Sequence, residues 1–337
     1  MKTHEKKNTV YRDGRNDSLR PDKGALSPSL GASELLRLVP DVSKICDIEA
    51  EQLFALDSTD IMPEHWLALA ALIHEKYDMF DGFVIAHGTD TLAYTASALS
   101  YLIQNSRKPV VITGAQKPIG FETTDSKQNL SDAFRVAASD MRGVLVVFGG
   151  TVLLGTRAQK TRSKSFAAFS SPNFPPLATV QNGRLTVFFE PKAGEERFYS
   201  RLDSSVGLLK LTPATDAELL RFMLDRYDAL VIESFGVGGL PDRDGDFRRE
   251  AERAVKKGKT VVVTTQVQSE GTDLSVYNVG SDLAALGVLE AFDMTPEACF
   301  TKLMWLLPLT DDPTERERLF YTPVSHDILP PQEIAVN

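Results

Sequence analysis

Short runs of continuously apolar, β-branched residues recur along this chain, at Gly82 to Ala86, Pro109 to Thr113, Val144 to Phe148, Ala229 to Glu233 and Thr260 to Thr264. Unbroken apolarity, in place of strict alternation, marks strands covered on both faces. Helix-length stretches such as Pro63 to Phe80 and Leu92 to Asn105 lie between several of them. That succession spells repeated βαβ units around a parallel sheet. Helix starts carry their usual polar cues: Asp60 precedes Pro63-Glu64, and Asp216 with Glu218 opens Leu219 to Tyr227. From about Glu190 to Ser205 the text turns polar and irregular, with Pro191, Gly194 and Glu195-Glu196-Arg197, before the strand-like Val206 to Lys210. The expectation is an α/β protein with a larger N-terminal domain (1–190) built on a mostly parallel, doubly wound sheet, an interdomain connection (191–210) and a smaller C-terminal α/β domain (211–337).

Composition narrows the function. A chain of 337 residues is long for one core, and 42% apolar with 25% charged residues is ordinary globular usage. A net charge of −9 argues against nucleic acid or an anionic membrane as partner, and favours a small polar substrate. The two cysteines, Cys46 and Cys299, match no metal or redox spacing, which fits a reducing cytoplasm. The five histidines show no ligand-like spacing, and His65 after Glu64 reads as a helix-surface residue, so neither a metal nor another cofactor is expected. The start, Met1-Lys2-Thr3-His4-Glu5-Lys6-Lys7, leads into polar residues, and no secretory signal or membrane span is expected. The mixed-sign run Asp242 to Glu250 reads as a loop and a solvated helix face.

Four polar clusters fall at predicted strand ends or loops: Asp57-Ser58-Thr59-Asp60, His87-Gly88-Thr89-Asp90-Thr91, Thr113-Gly114-Ala115-Gln116 and Gly155 to Lys160. The carboxyl ends of parallel strands are where open α/β sheets bind small molecules, and helix N-termini there favour a carboxylate. Together the clusters supply hydroxyls, carboxylates and a lysine, enough for acyl transfer without a metal. Each also has a plainer reading. Thr89 and Asp90 can cap the following helix, Ser58 and Thr59 can cap the helix near Pro63, and Lys160, beside Arg157, Arg162 and Lys164, can be a solvated cation.

Taken in order, Leu56 to Asp60, His87 to Thr91, Val111 to Pro118 and Arg157 to Lys160 resemble the motifs of bacterial-type L-asparaginases, particularly the cytoplasmic type I group. The likeness runs from about Ala25 through Ser234-Phe235-Gly236-Val237-Gly238 to Asp293-Met294-Thr295-Pro296-Glu297-Ala298. It implies hydrolysis of L-asparagine to L-aspartate and ammonia through a threonine acyl-enzyme, in a cytoplasmic homodimer or homotetramer. By the same resemblance Thr89 is the catalytic hydroxyl, Lys160 its proton acceptor, and Asp90 the orienter of the lysine and anchor of the substrate ammonium. Asp57, Ser58 and Thr59 would hold the α-carboxylate and amino group, with the backbone of Ala115 and Gln116 near the amide. The rival readings are an amidotransferase subunit of the same family and a non-catalytic aspartate or asparagine sensor. The segment Gln266 to Asp273 resembles a loop near subunit contacts, and reads equally as an exposed polar turn.

One motif is missing. The family opens on a strand ending in Thr-Gly-Gly-Thr-Ile, whose first threonine is the expected nucleophile, and here the corresponding place reads Arg12-Asp13-Gly14-Arg15-Asn16-Asp17. The preceding Lys7-Asn8-Thr9-Val10-Tyr11 is a weak apolar run for a central strand. Codons can be chosen for Asn8 to Ser18 which, read one nucleotide later, encode Ile-Leu-Tyr-Ile-Gly-Thr-Gly-Gly-Thr-Ile. A shifted reading frame is therefore our hypothesis for this segment, and a gene sequence whose codons do not permit that translation would end it.

Overall fold

A computed structural model describes residues 7–12, 36–191, 193–241 and 245–329. The chain divides into two compact units between Ser200 and Arg201. The position of the missing motif after Arg12 lies outside the described residues.

The first unit is organised by one eight-stranded sheet. Its strands are β1 (Lys7–Arg12), β2 (Asp47–Gln52), β3 (Gly82–Ala86), β4 (Pro109–Thr113), β5 (Gly143–Phe148), β6 (Thr151–Leu154), β7 (Ala178–Gln181) and β8 (Arg184–Val187). They lie in the order β8-β7-β6-β5-β4-β3-β1-β2. The run β2-β1-β3-β4-β5 is parallel, and β6, β7 and β8 extend it as an antiparallel edge. From β1 the chain turns one way to β2 and then the other way to β3, so the strand order reverses at the β1/β3 boundary. In open α/β sheets, the carboxyl ends of strands at such a reversal are where small molecules bind.

Helices α1 (Pro63–Lys76), α2 (Leu92–Leu102) and α3 (Ser126–Ala137) belong to this unit. Along α3, Leu130, Ala133, Phe134 and Ala137 recur at the helical period and pack into one core with Val84, Val111, Leu145 and Val147. Each large side chain so buried contributes about 1.5–3 kcal/mol. Two sequence expectations change here. The polar run at Lys7–Arg12 does form a strand inside the sheet, paired in parallel with both β2 and β3; ladder bonds are main-chain bonds, so pairing on both sides can order a weakly apolar segment, even though β2 (Asp47–Gln52) is itself largely polar. The start of α1 is also different. Proline disfavours a helical residue before it, so Met62 is extended (φ −122°, ψ 164°) and is the cap, its N–H donated to His65 Nδ1 at 2.9 Å. Asp60 sits in a preceding 3-10 turn, Ser58–Asp60, capped by Asp57. The helix then ends at Lys76, short of Phe80, and passes into a 3-10 turn over Tyr77–Met79.

The second unit has a parallel sheet of β9 (Val206–Lys210), β10 (Ala229–Ser234), β11 (Thr260–Thr265) and β12 (Leu289–Glu290), laid side by side in chain order. Its helices are α4 (Ala217–Arg226), α5 (Asp246–Lys256), α6 (Asn278–Ala285), α7 (Pro296–Leu306) and α8 (Pro313–Phe320). Asp216 caps α4, accepting from the Leu219 N–H at 2.9 Å. On α5, Phe247, Ala251 and Ala254 are buried while Arg248 and Arg249 face solvent. Under α7 lies a fully buried ion pair: Lys302 Nζ donates to Asp327 Oδ2 at 2.7 Å, both side chains 0% exposed, and to the Thr322 carbonyl at 3.0 Å. Cys46 and Cys299 are buried thiols. Among the described residues no helix is long and apolar enough to cross a membrane.

Candidate active site

Beyond the carboxyl end of β3 the chain runs His87-Gly88-Thr89-Asp90-Thr91 before α2 begins at Leu92. Thr91 takes the cap position of α2 without a side-chain cap bond, and its hydroxyl instead donates to the Ser58 carbonyl at 2.6 Å. That bond joins the loop after β2 to the loop after β3 across the switch point. Thr89 is buried (7% exposed), whereas Asp90 stands at the rim.

Lys160 arrives from the far side. It ends a two-residue strand, Gln159–Lys160, paired antiparallel with Phe169–Ser170. Its ammonium donates to Thr89 Oγ1 at 2.8 Å and to Asp90 Oδ1 at 2.7 Å. The lysine side chain is 18% exposed and the aspartate 48%. A solvated-cation reading of Lys160 does not survive this geometry. The ammonium is clamped between a hydroxyl and a carboxylate, the arrangement that lets an amine exchange a proton with an alcohol while a carboxylate fixes its position.

The other sequence candidates surround this cluster. Asp57 Oδ1 accepts from the Thr59 N–H at 3.0 Å, so the aspartate caps the Ser58–Asp60 turn, while Ser58 and Thr59, which could have capped the helix near Pro63, leave that position to Met62. Ser58 is 1% exposed, and among the described residues its Oγ has no hydrogen-bond partner; an unmatched buried hydroxyl is costly unless something else supplies the match. Ala115 is buried. Gln116 enters by a route the sequence did not suggest: its N–H is committed to Asp125 (2.9 and 3.1 Å), and it is the side chain that reaches the site, Oε1 accepting from Thr89 Oγ1 at 3.2 Å.

Several supporting residues were missed in the sequence. Asp125 also accepts from the Lys117 N–H, and Asn129, one helical turn later, donates to the Gly114 carbonyl at 2.9 Å. Both side chains are buried (6% and 2% exposed), and together they hold the 114–117 segment in place. The available signal was an Asp and an Asn four residues apart on a helix face otherwise occupied by core residues. Behind Thr89, Trp66 Nε1 donates to Thr95 Oγ1 (2.9 Å), which lies 2.8 Å from His87 Nε2. Gly114 has to be glycine, because a Cβ there would meet the His87 carbonyl at 2.3 Å. Among the described residues no group of three or more His, Cys, Asp or Glu side chains is placed to hold a metal ion.

This fold and cluster have counterparts. Residues 18–193 match the family profile "Asparaginase, N-terminal" and residues 205–320 match "Glutaminase/Asparaginase C-terminal domain". An L-asparaginase of Thermococcus kodakarensis is 38% identical over 306 residues, covering 89% of this chain and 92% of that protein. A subunit of the glutamyl-tRNA(Gln) amidotransferase of Pyrococcus furiosus is 36% identical, covering 92% of this chain and 73% of that protein. The solved thermostable L-asparaginase from Thermococcus kodakarensis superposes with a TM-score of 0.90 at 36% identity, over 96% of this chain and 99% of that one. With both family profiles matched in order, the chain belongs to the asparaginase/glutaminase family of amidohydrolases.

Proposed function

We propose that this protein hydrolyses the side-chain amide of L-asparagine to L-aspartate and ammonia through a threonine acyl-enzyme. The observation that carries the reading is the Lys160 Nζ donating to both Thr89 Oγ1 and Asp90 Oδ1 beyond the carboxyl end of β3. In this scheme Thr89 Oγ1 attacks the amide carbon as its proton passes to the Lys160 amine. The lysine then returns a proton to the departing ammonia, and a water deacylates the ester by the same relay. Asp90 orients the lysine and attracts the substrate ammonium. The substrate is a zwitterion, and the loop after β2 offers both signs of partner: the Asp57 carboxylate for the amino group, and the Ser58 and Thr59 hydroxyls for the α-carboxylate. The unmatched Ser58 Oγ supports that role. A cytoplasmic homodimer or homotetramer without cofactor is the accompanying proposal, carried by the type I likeness.

The segment Arg12 to Asp17 sets the level of activity in this scheme. The threonine that the family resemblance expects there as primary nucleophile is absent, which leaves Thr89 to attack without it, and losing one member of a catalytic unit costs several orders of magnitude. The test is ammonia release from L-asparagine by the chain as written, beside a version with Asn8 to Asp17 replaced by Ile-Leu-Tyr-Ile-Gly-Thr-Gly-Gly-Thr-Ile, each with and without Lys160→Ala. We expect turnover to rise by orders of magnitude in the replaced version and to collapse with Lys160→Ala in both. Turnover that ignores Lys160 would sink the reading. The 36% identity to an amidotransferase subunit keeps a second reading in view, and aspartate binding without ammonia release would favour the sensor.

A further inference from the structure

The hydrogen bonds around Thr89 contain a proton assignment. Gln116 Nε2 lies 3.2 Å from the Ser165 carbonyl and 3.5 Å from the Arg162 carbonyl. Carbonyl oxygens only accept, so the amide can be oriented only with its nitrogen toward them and Oε1 toward Thr89. Oε1 in turn only accepts, which makes the Thr89 hydroxyl the donor in the 3.2 Å contact. A threonine has one hydroxyl proton. With that proton on Gln116, the Thr89 oxygen can only accept from Lys160, whose Nζ donates to Thr89 and to Asp90. In this orientation the Thr89 proton points away from Lys160, which can take it only after the O–H rotates toward the amine.

We infer that the Gln116 side chain competes with Lys160 for the single proton of Thr89, and so is a positioning residue that decides when the lysine can act as base. The inference rests on the function proposed above. For the attack to proceed, the Thr89 O–H must swing from Gln116 Oε1 to a neutral Lys160 amine. The O–H bond then breaks toward the amine nitrogen as the Oγ1 to carbon bond forms. Gln116 opposes that swing in proportion to the strength of its own contact. Its other end is fastened to carbonyls two and five residues beyond Lys160, at Arg162 and Ser165. The segment carrying the lysine onward and the group restraining the threonine are therefore joined through one amide, and a displacement of 162–165 would loosen the restraint.

The test is a double-mutant cycle read on Lys160 itself, independent of turnover. In full-length protein carrying isotope-labelled lysine, the Lys160 amine resonance is assigned by its loss in Lys160→Arg and followed against pH by NMR. The four proteins are the parent, Gln116→Met, Thr89→Val and Thr89→Val/Gln116→Met. Methionine keeps the length of glutamine and removes the acceptor. Gln116→Met is expected to move the titration midpoint of that resonance down by about one pH unit, a roughly tenfold loss of proton affinity. With the hydroxyl at position 89 free to donate, the neutral amine gains a hydrogen bond it lacks in the parent. In the Thr89→Val background the same substitution is expected to move nothing. Equal displacement in both backgrounds would show a general polarity effect, and no displacement in either would show no competition; both overturn the inference. Melting temperatures confirm that all four proteins are folded. Failure of the proposed function appears elsewhere, as ammonia release indifferent to Lys160→Ala, and leaves the cycle readable.

Discussion

Two lysine–aspartate pairs in this protein have the same length and opposite meanings. Lys160–Asp90 in the first unit and Lys302–Asp327 in the second both measure 2.7 Å. Lys302 and Asp327 are fully enclosed, and each also bonds the protein's own backbone: the lysine donates to the Thr322 carbonyl, and the aspartate accepts from the Val324 N–H. Lys160 is a fifth exposed and Asp90 about half exposed, and the third partner is a hydroxyl, Thr89. A closed pair fastens chain to chain. An open pair ending on a nucleophile-type side chain is available to a ligand. Under the proposed function, exposure and the third partner, and not the ion pair itself, set the candidate site apart from the closed pair.

Breaking each pair should separate these roles. The largest effect is expected from Lys160→Met, which should lower ammonia release from L-asparagine by about 10²–10⁴-fold, the usual contribution of a positioned general base. Its unfolding midpoint in denaturant should hardly move, since a half-exposed pair is worth at most about 1 kcal/mol. Lys302→Met should do the reverse: a loss of about 3–5 kcal/mol in equilibrium unfolding, from an aspartate left buried and alone, with unchanged ammonia release per folded molecule. Replacing both partners, as Lys302→Met with Asp327→Leu, should recover most or all of that loss. If it does not, the pair is stabilising in its own right and the contrast must be redrawn.

Alkali offers a smaller effect on each unit. Burial, with the Glu196 carboxylate accepting from its hydroxyl, pushes Tyr77 up from 10.0 to about 12 in the first unit; burial likewise pushes Tyr321 up to about 12 in the second. A phenol whose folded value is raised favours folding below the unfolded value, and that contribution disappears as pH climbs through the folded one. Stability should therefore decline between about pH 10 and 12, and ultraviolet titration should find two phenols ionising late or only on unfolding. Two phenolates appearing with the exposed tyrosines would contradict this. The smallest signal should come from Cys299, whose thiol burial pushes well above its ordinary value. It should resist thiol reagents in the native protein and react faster in Lys302→Met, in step with local opening.

The parallel strands were legible because continuous β-branched runs admit few other structures: β3, β4 and β11 begin where the pattern places them. Polar clusters at strand ends were legible too, since parallel topology gathers those ends on one edge. Less visible was anything depending on rotamers or on distant chain. Asp125 and Asn129 look like ordinary helix residues until α3 lies against the 114–117 segment, and the side chain of Gln116 reads as a loop glutamine until Ser165 fixes its amide. Asp60 misled for a local reason, since Pro63 shifted the cap to Met62. At β1 the pattern underestimated the pull of two paired neighbours.

Helix α3 carries a design constraint for anyone who would engineer this scaffold. Asp125, at the cap position of α3, and Asn129 within it are continuous with the rod that carries Leu130 and Phe134, so a rotation of the rod that alters apolar packing would also move the partners of the Gly114 to Lys117 stretch. Thermostabilising libraries should keep that rod's register fixed and vary its solvent face.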